Sequence, residues 1–333
     1  MLTRRCGRVG AVVASVSLAG TATACFAPKV PREGVPELFA AVQESPALRE
    51  SALDGCVVVH HLWKAEILAV HRTSREGVGA RVRMLVDSVY EPHASFWDGY
   101  VSDFKKWARR HLDLSGDPRS TIPTQVDLLD LIAGVTSRIE EVTGKRGCAE
   151  WYALYGPGWA NLGGLSTGQM LIDFFGLPTD RGVENLMSTL PHEVAHVIHG
   201  QRTEDPDRGT LLGAIISEGL ASYFADLYWG TDMSAPEALG YDPAEWDWAV
   251  DHESQLWALA KENLWSTDQQ LISQYRRADR RVVSGAPVKV GYFLGYRLVE
   301  AYVSRHGESS LTGVFQLPVR VVLEDSGYSG GGT

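Results

Sequence analysis

The sequence predicts an α+β fold that is predominantly helical and contains a small edge sheet. Residues 127–143 place apolar side chains on one face at the spacing of an amphipathic helix. Residues 215–224 form a second helical segment, apolar on most sides. The glycine-rich run 155–164 precedes the apolar segment 169–175, an order typical of a loop that leads into a strand.

The N-terminal part of the chain adds further helix candidates. Glu37–Arg49 and Leu62–Arg72 have amphipathic patterns, while Val57–Val59 could instead form a short strand. Phe96–His111 is aromatic and basic, which favours a helix with its aromatic stripe packed inward over a nucleic-acid surface. The formal net charge of −10 and the lack of a long basic run also argue against nucleic acid as a partner.

The first 24 residues have the pattern of an export signal. A basic start is followed by the apolar run Val9–Gly20, which is shorter than the ~20 residues of a membrane span. Small residues then precede Cys25, as at a bacterial lipoprotein site where this cysteine is lipidated. A plain cleavage after Ala24 is the alternative. We therefore expect an exported protein, either a membrane lipoprotein anchored through Cys25 and facing outward, or a secreted protein.

The remaining chain divides by composition. Residues 25–36 are expected to be a tether, 37–120 an N-terminal helical region, 121–328 the main domain and 329–333 a flexible tail. Once Cys6 is removed and Cys25 lipidated, Cys56 and Cys148 remain as an even pair. They could be bridged in an oxidising exterior or stay as two buried thiols.

The segment His192–His196 has the HExxH pattern of zinc hydrolases. Residues four apart share one helix face, so His192 and His196 can direct two imidazoles at one ion. Glu193 can then take the proton of a water activated by that ion. The apolar flanks predict a largely buried helix, in which polar side chains need a partner. Two unrelated histidines on a solvated helix are the alternative.

A third ligand decides the class of site. The metzincin pattern fails, because His199 and Arg202 stand where it requires a glycine and a third histidine. His199 would lie about 10.5 Å from His192 along the helix axis, too far to share one ion comfortably. Glu218, alone in an apolar helix, is the better candidate, since metal binding resolves the cost of burying it. Two histidines and a glutamate with an open fourth position are typical of catalytic zinc.

These motifs resemble those of the gluzincin-type zinc peptidases, and more narrowly an uncharacterised bacterial family of predicted zinc-dependent proteases. The resemblance covers roughly residues 120–330 and is carried by residues 190–196, 210–221 and 287–299. It implies a gluzincin (thermolysin-like) catalytic core. One departure concerns Ser222, where many gluzincins have an aspartate that orients a zinc-bound histidine.

Tyr292 and Tyr296 are candidates for stabilising the negative charge that develops on the substrate oxygen, and we favour Tyr292. The alternative is that both tyrosines pack between helices. Arg297 and His252 are weaker candidates. The glycine-rich run before residue 169 would leave room for an extended substrate on an edge strand, or it could be an ordinary turn before a buried strand.

The sequence thus predicts a zinc metallopeptidase that hydrolyses peptide bonds in peptides or proteins. His192, His196 and Glu218 would bind Zn²⁺, and Glu193 would act as the general base. Two alternatives remain: a zinc-binding lipoprotein without catalysis, and a zinc amidohydrolase acting on cell-wall material.

Overall fold

The structure is a computed structural model, and it describes residues 40, 42–44, 47–93, 103–112, 117–156, 158, 162–164, 169–200, 205–277 and 279–331. The predicted signal peptide, the tether, the lipidation site at Cys25 and the start of the predicted helix Phe96–His111 lie outside the described residues. Residues Arg32–Thr333 cluster as one compact unit.

The fold is mostly helical with one small mixed sheet, as the sequence predicts. The strands are β1 Arg49–Ala52, β2 Val57–His61, β3 Ala149–Leu154, β4 Leu162–Gly164 and β5 Met170–Asp173. The helices are α1 Leu62–Arg72, α2 Val78–Leu85, α3 Phe104–Arg110, α4 Ile122–Gln125, α5 Leu128–Thr143, α6 Gly182–Gly200, α7 Leu211–Trp229, α8 Ala235–Leu239, α9 Pro243–Asp251, α10 Glu253–Lys261, α11 Gln269–Arg276, α12 Val290–His306, α13 Leu311–Val314 and α14 Val319–Ser326. Within the described part of the chain, no helix is long and apolar enough to cross a membrane.

Local sequence signals place several elements correctly. Helix α1 has the predicted bounds, and α5 begins directly after Asp127, whose side chain accepts a hydrogen bond from the backbone N–H of Asp130. The alternative of a strand at Val57–Val59 is confirmed by β2. In the described part of Phe96–His111, Trp107 is buried and stacks on Tyr90 at 3.9 Å between ring centroids, so this helix packs inward.

The predicted helix Glu37–Arg49 is wrong at its end. Arg49 begins β1, which pairs antiparallel with β2. A short turn joins the two strands, with positive φ at Leu53, Asp54 and Gly55. The Asp54-Gly55 pair is a hairpin turn signal, and here it prevails over the helical periodicity upstream.

The sheet has the order β1-β2-β3-β5-β4, so strands from both of the predicted regions share it. The three central strands β2, β3 and β5 are parallel, whereas β1 and β4 pair antiparallel at the two edges. β4 comes from the glycine-rich run, with Gly163 opposite Leu171 in β5. In the described residues, the outer side of β4 has no strand partner.

A buried polar network ties the N-terminal helices to Tyr155, which follows β3 and begins the glycine-rich run. The carboxylate of Glu66 in α1 accepts hydrogen bonds from the Tyr155 backbone N–H (2.9 Å) and the Tyr90 hydroxyl (3.0 Å). The Trp107 indole N–H lies 3.0 Å from the Tyr155 carbonyl oxygen and 2.9 Å from His111 Nε2. Burial lowers the pKa of His111 to about 3, so this imidazole is neutral and accepts. The N-terminal helices therefore fix the point from which the chain runs into the edge strand.

A disulfide joins Cys56 and Cys148, the pair left by the cysteine count. These residues directly precede β2 and β3, whose first residues Val57 and Ala149 face each other in the parallel register. The Cα atoms of the two cysteines are therefore 4.5 Å apart, within the range that a disulfide spans. The bridge is the bonding state expected in an oxidising compartment.

Replacing both cysteines by serine is expected to lower the free energy of unfolding by about 4 kcal/mol, because the bridge closes a loop between residues 92 apart. Urea unfolding of the parent and the Cys56→Ser/Cys148→Ser variant measures this. A reductant should destabilise the parent by a similar amount and leave the variant unchanged. A loss below 1 kcal/mol in the variant would contradict this assignment.

Helices α7 and α12 cross in backbone contact at Gly219 and Gly295. A Cβ atom on Gly219 would lie 2.1 Å from the Gly295 carbonyl carbon, and one on Gly295 would lie 2.0 Å from the Ile215 carbonyl oxygen. Only glycine permits this approach. The crossing sets Tyr292, one turn before Gly295, beside Glu218.

Gly295→Ala is expected to destabilise the protein by about 3 kcal/mol, since the added methyl group forces α7 and α12 apart. Gly134→Ala is the matched control, because Gly134 is an exposed glycine inside α5 with no atom within 4 Å of an added Cβ. It should stabilise by about 0.5–1 kcal/mol through helix propensity. Thermal unfolding of both variants measures the difference in stability. Equal changes in stability in the two variants would exclude a tight crossing of α7 and α12.

Candidate metal centre

Helix α6 holds the HExxH residues in the interior. Leu190, Val194 and Ala195 are fully buried and fix the helix against its neighbours, among them α5, α7 and the edge strand β4. His192 and Glu193 are 7% and 9% exposed. The buried helix predicted from the apolar flanks is therefore observed, and its polar side chains face a shared site.

Helix α7 brings Glu218 to the two histidines. Glu218 is 1% exposed, and its Oε2 lies 3.3 Å from His192 Nε2 and 3.2 Å from His196 Nε2. The two Nε2 atoms are 3.0 Å apart. The three atoms form a nearly equilateral triangle, so the structure brings together the three residues that the sequence predicts as metal ligands.

This triangle fits a tetrahedral metal. Ligand atoms about 2.0–2.1 Å from a tetrahedral zinc ion lie about 3.3 Å from one another, close to the three observed spacings. Two imidazole nitrogens and a carboxylate oxygen are also a common donor set for catalytic zinc. A metal site needs at least three such side chains close together. In the described part of the chain, His192, His196 and Glu218 form such a group, with their ligand atoms within 4.8 Å of one another.

The ligand triangle contains a buried negative charge, on Glu218. Burial alone would raise the pKa of Glu218, but the facing His196 and His192 imidazoles and the Arg276 guanidinium hold it well below its usual range. Burial alone would lower the pKa of His196, but the Glu218 carboxylate raises it. A buried, ionised carboxylate thus faces the point where the ligand atoms converge.

Arg276 holds the other oxygen of Glu218. Its Nε and Nη2 atoms lie 2.7 and 2.6 Å from Glu218 Oε1, which leaves Oε2 directed at the histidines. Arg276 is the last residue of α11, and Gly291 of α12 allows close packing there, since an added Cβ would lie 2.9 Å from the Tyr275 carbonyl oxygen. Sequence reasoning missed this arginine, because no spacing links it to α7.

Two serines contact the other ring nitrogens of the histidines. Ser222 Oγ lies 3.4 Å from His192 Nδ1, and Ser217 Oγ lies 3.2 Å from His196 Nδ1. Ser222 therefore stands in the place of the aspartate that the resemblance leads one to expect. A hydroxyl can fix a ring and its tautomer, but it adds no negative charge. His199 lies behind this layer, with Nδ1 3.2 Å from Ser217 Oγ, as expected for a residue that is not itself a ligand.

The two candidate tyrosines differ in position. The Tyr292 ring stacks on His192 with centroids 5.5 Å apart, and the residue lines the same cleft as Glu193. Burial and the Glu218 carboxylate raise the pKa of Tyr292 well above its usual range, so the phenol keeps its proton. Tyr296 instead donates its hydroxyl to Asp226 at 2.8 Å.

The two weaker candidates for stabilising the substrate oxygen, Arg297 and His252, lie away from the ligand triangle. Arg297 forms an ion pair with Glu253 at 3.1 Å, and His252 stacks on Trp248. Neither residue lines the cleft at the candidate metal centre.

A cleft of about 680 Å³ opens onto the centre. Its walls include Glu193 and His196 on one side and the edge strand residues Leu162–Gly164 on another. The prediction of a loop leading into an edge strand at 169–175 is wrong in its placement of the edge. The glycine-rich run itself forms the edge strand β4 beside the candidate ligands, and β5 is a buried strand inside the sheet.

Residues 186–330 match the family model described as gliding motility protein GldB, a lipoprotein family by its short name GldB_lipo. The matched range contains His192, His196, Glu218 and Tyr292, and it covers less than half of the 333 residues. The lipoprotein designation agrees with the lipoprotein signal predicted at the N-terminus. Neither the curated proteins nor the solved structures contain a match to the chain.

Proposed function

We propose that this protein is an exported zinc metallopeptidase with a gluzincin-like core, lipid-anchored through Cys25, that cleaves peptide or protein substrates and does not bind nucleic acid. The observation that carries the proposal is the triangle of His192 Nε2, His196 Nε2 and Glu218 Oε2 with sides of 3.0–3.3 Å. Its position in a cleft that also holds Glu193 and an edge strand favours catalysis over a closed structural site.

His192, His196 and Glu218 would hold the zinc ion, with Ser222 and Ser217 orienting the two rings and Arg276 orienting the carboxylate. Bound zinc would supply Lewis acidity and lower the pKa of a water molecule towards ~7. Glu193, next to His192 and facing the cleft, would accept the proton of the attacking water and pass it to the leaving amine. The outer edge of β4 would pair with the backbone of an extended substrate and hold it across the centre.

Tyr292 would donate its protonated hydroxyl to the substrate oxygen as negative charge develops on it. Tyr292→Phe is expected to lower kcat by about 10²–10³, the usual effect of removing one such donor, with zinc content unchanged. Tyr296→Phe is the matched control, since Tyr296 does not line the cleft and its hydroxyl is bound to Asp226, and it should leave kcat within about twofold. Steady-state kinetics on one cleaved peptide measures both variants. An equal loss in both would remove the assigned role.

A second candidate is a zinc-binding lipoprotein without catalysis, favoured by the match to a family described as a gliding motility protein. A comparison of two substrates separates the candidates. We expect the zinc-loaded protein to cleave an unfolded polypeptide and a chelator to stop the reaction. Bound zinc without cleavage of polypeptide or peptidoglycan fragments would favour the binding role. Cleavage of peptidoglycan alone would assign a cell-wall amidohydrolase.

A further inference from the structure

Arg276 has donors left over after it has bound Glu218. A guanidinium carries five N–H groups, and the two contacts to Glu218 Oε1 engage two of its nitrogens. The side chain is 50% exposed and lines the cleft. In the described part of the chain, no second carboxylate forms an ion pair with it. The exposed part of the guanidinium is therefore positioned to contact a ligand in the cleft.

The charges around Arg276 favour an anionic ligand. Two carboxylates line the cleft, Glu193 and Glu218, and Arg276 neutralises one of them. With a divalent ion on the ligand triangle, the centre keeps a net positive charge, although the whole chain has a formal charge of −10. Arg208 adds a further cationic group to the wall of the cleft. The site is therefore a local cationic region on an acidic protein, which attracts anions.

Arg276 is also close to the candidate metal centre. The guanidinium and the two imidazoles contact opposite oxygens of the same Glu218 carboxylate. Because an extended chain advances ~3.5 Å per residue, a substrate group held by Arg276 would lie within about two residues of the bond at the centre. The group that matches a planar, two-donor guanidinium edge is a carboxylate.

We propose that Arg276 determines specificity by binding a substrate carboxylate next to the cleaved bond. This inference rests on the proposed peptidase function. The carboxylate is either the free C-terminus of the residue after the bond or the side chain of a nearby aspartate or glutamate. Both present the same chemistry to the guanidinium, and the substrate pairs below distinguish them.

Peptide binding tests the proposal without hydrolysis. Zinc-loaded Glu193→Gln protein is titrated calorimetrically with acetyl-tetraalanine as the free acid and as the C-terminal amide. A second pair, acetylated alanine peptide amides with one Asp or one Asn, tests a side-chain carboxylate. We expect one carboxylate peptide to bind about tenfold more tightly than its neutral partner. The pair that shows the difference identifies the source.

Three variants, two at Arg276 and one at Arg277, test whether Arg276 causes this preference for a carboxylate. In the same background, Arg276→Gln should abolish it, whereas Arg277→Gln should retain it, since Arg277 is an exposed neighbour paired with Asp279. Arg276→Lys keeps a positive charge beside Glu218 without the planar fork, so it should retain zinc and lose most of the preference. Zinc content is measured on every variant.

Equal affinity for both members of each peptide pair would overturn the proposal. An equal loss of affinity for both members in Arg276→Gln would also overturn it, because Arg276 would then serve only to position Glu218. The failure of the proposed function would look different. If the parent cleaves no peptide but the carboxylate preference is present and depends on Arg276, the anion site is confirmed and the proposed peptidase function is wrong.

Discussion

Glu218→Gln is expected to weaken zinc binding by more than 100-fold and to abolish peptide hydrolysis at limiting zinc. The substitution removes the negative charge that faces both histidines and leaves Arg276 without its carboxylate partner. Loss of a group that merely supports a metal ligand costs 10–100-fold in affinity, so loss of the ligand itself should cost more. Competition with a chromophoric zinc chelator measures the dissociation constant.

Asp226→Asn is the matched control for Glu218→Gln. Asp226 lies two turns further along α7, and its carboxylate accepts from Tyr296 instead of facing the triangle. The control should bind zinc within about twofold of the parent, while Glu218→Gln should not. Parent-like zinc affinity in Glu218→Gln would show that the third ligand has been misassigned.

Glu193→Gln is expected to retain zinc and to lose about 10²–10⁴ in kcat. The amide keeps the size of the side chain but accepts protons poorly, and a positioned general base contributes a rate factor of this order. Glu193 lines the cleft and does not belong to the ligand triangle, so metal content should stay at that of the parent. Steady-state kinetics with elemental analysis of the same sample tests both parts.

The control for Glu193→Gln is Glu184→Gln, the same change on an exposed residue of the same helix, outside this cleft. It should leave kcat unchanged. If Glu193→Gln cleaves peptide at the parent rate, Glu193 is not the base. If it loses zinc, the effect on kcat says nothing about proton transfer, and Glu193 must then be counted with the residues that maintain the metal.

The sequence allowed much of the candidate centre to be predicted, because its signals are local. The spacing within α6 puts His192 and His196 on one face, and a lone glutamate in the apolar α7 needs a compensating partner. The structure brings these residues together and places Tyr292 beside them. Their roles in catalysis remain predictions.

Contacts between segments that are distant in the chain could not be predicted from the sequence. Arg276 meets Glu218 because α11 packs against both α7 and α12, with close approaches at Gly291 and at the crossing of α7 and α12 at Gly295. The contacts of Ser217 and Ser222 with the histidines depend in the same way on how α6 lies against α7. The hairpin at Asp54 shows the converse, since its turn signal is local and present in the sequence, but the prediction followed the helical periodicity of residues 37–49.

The most direct test of the proposed activity is exposure of a mixed-sequence peptide library to the zinc-loaded protein, followed by mass spectrometry. We predict that new peptide termini appear, that they cease to form once a chelator removes the metal, and that zinc restores them. An intact library after incubation with protein that contains one zinc ion per chain would contradict the account and leave the binding role as the better reading of the centre.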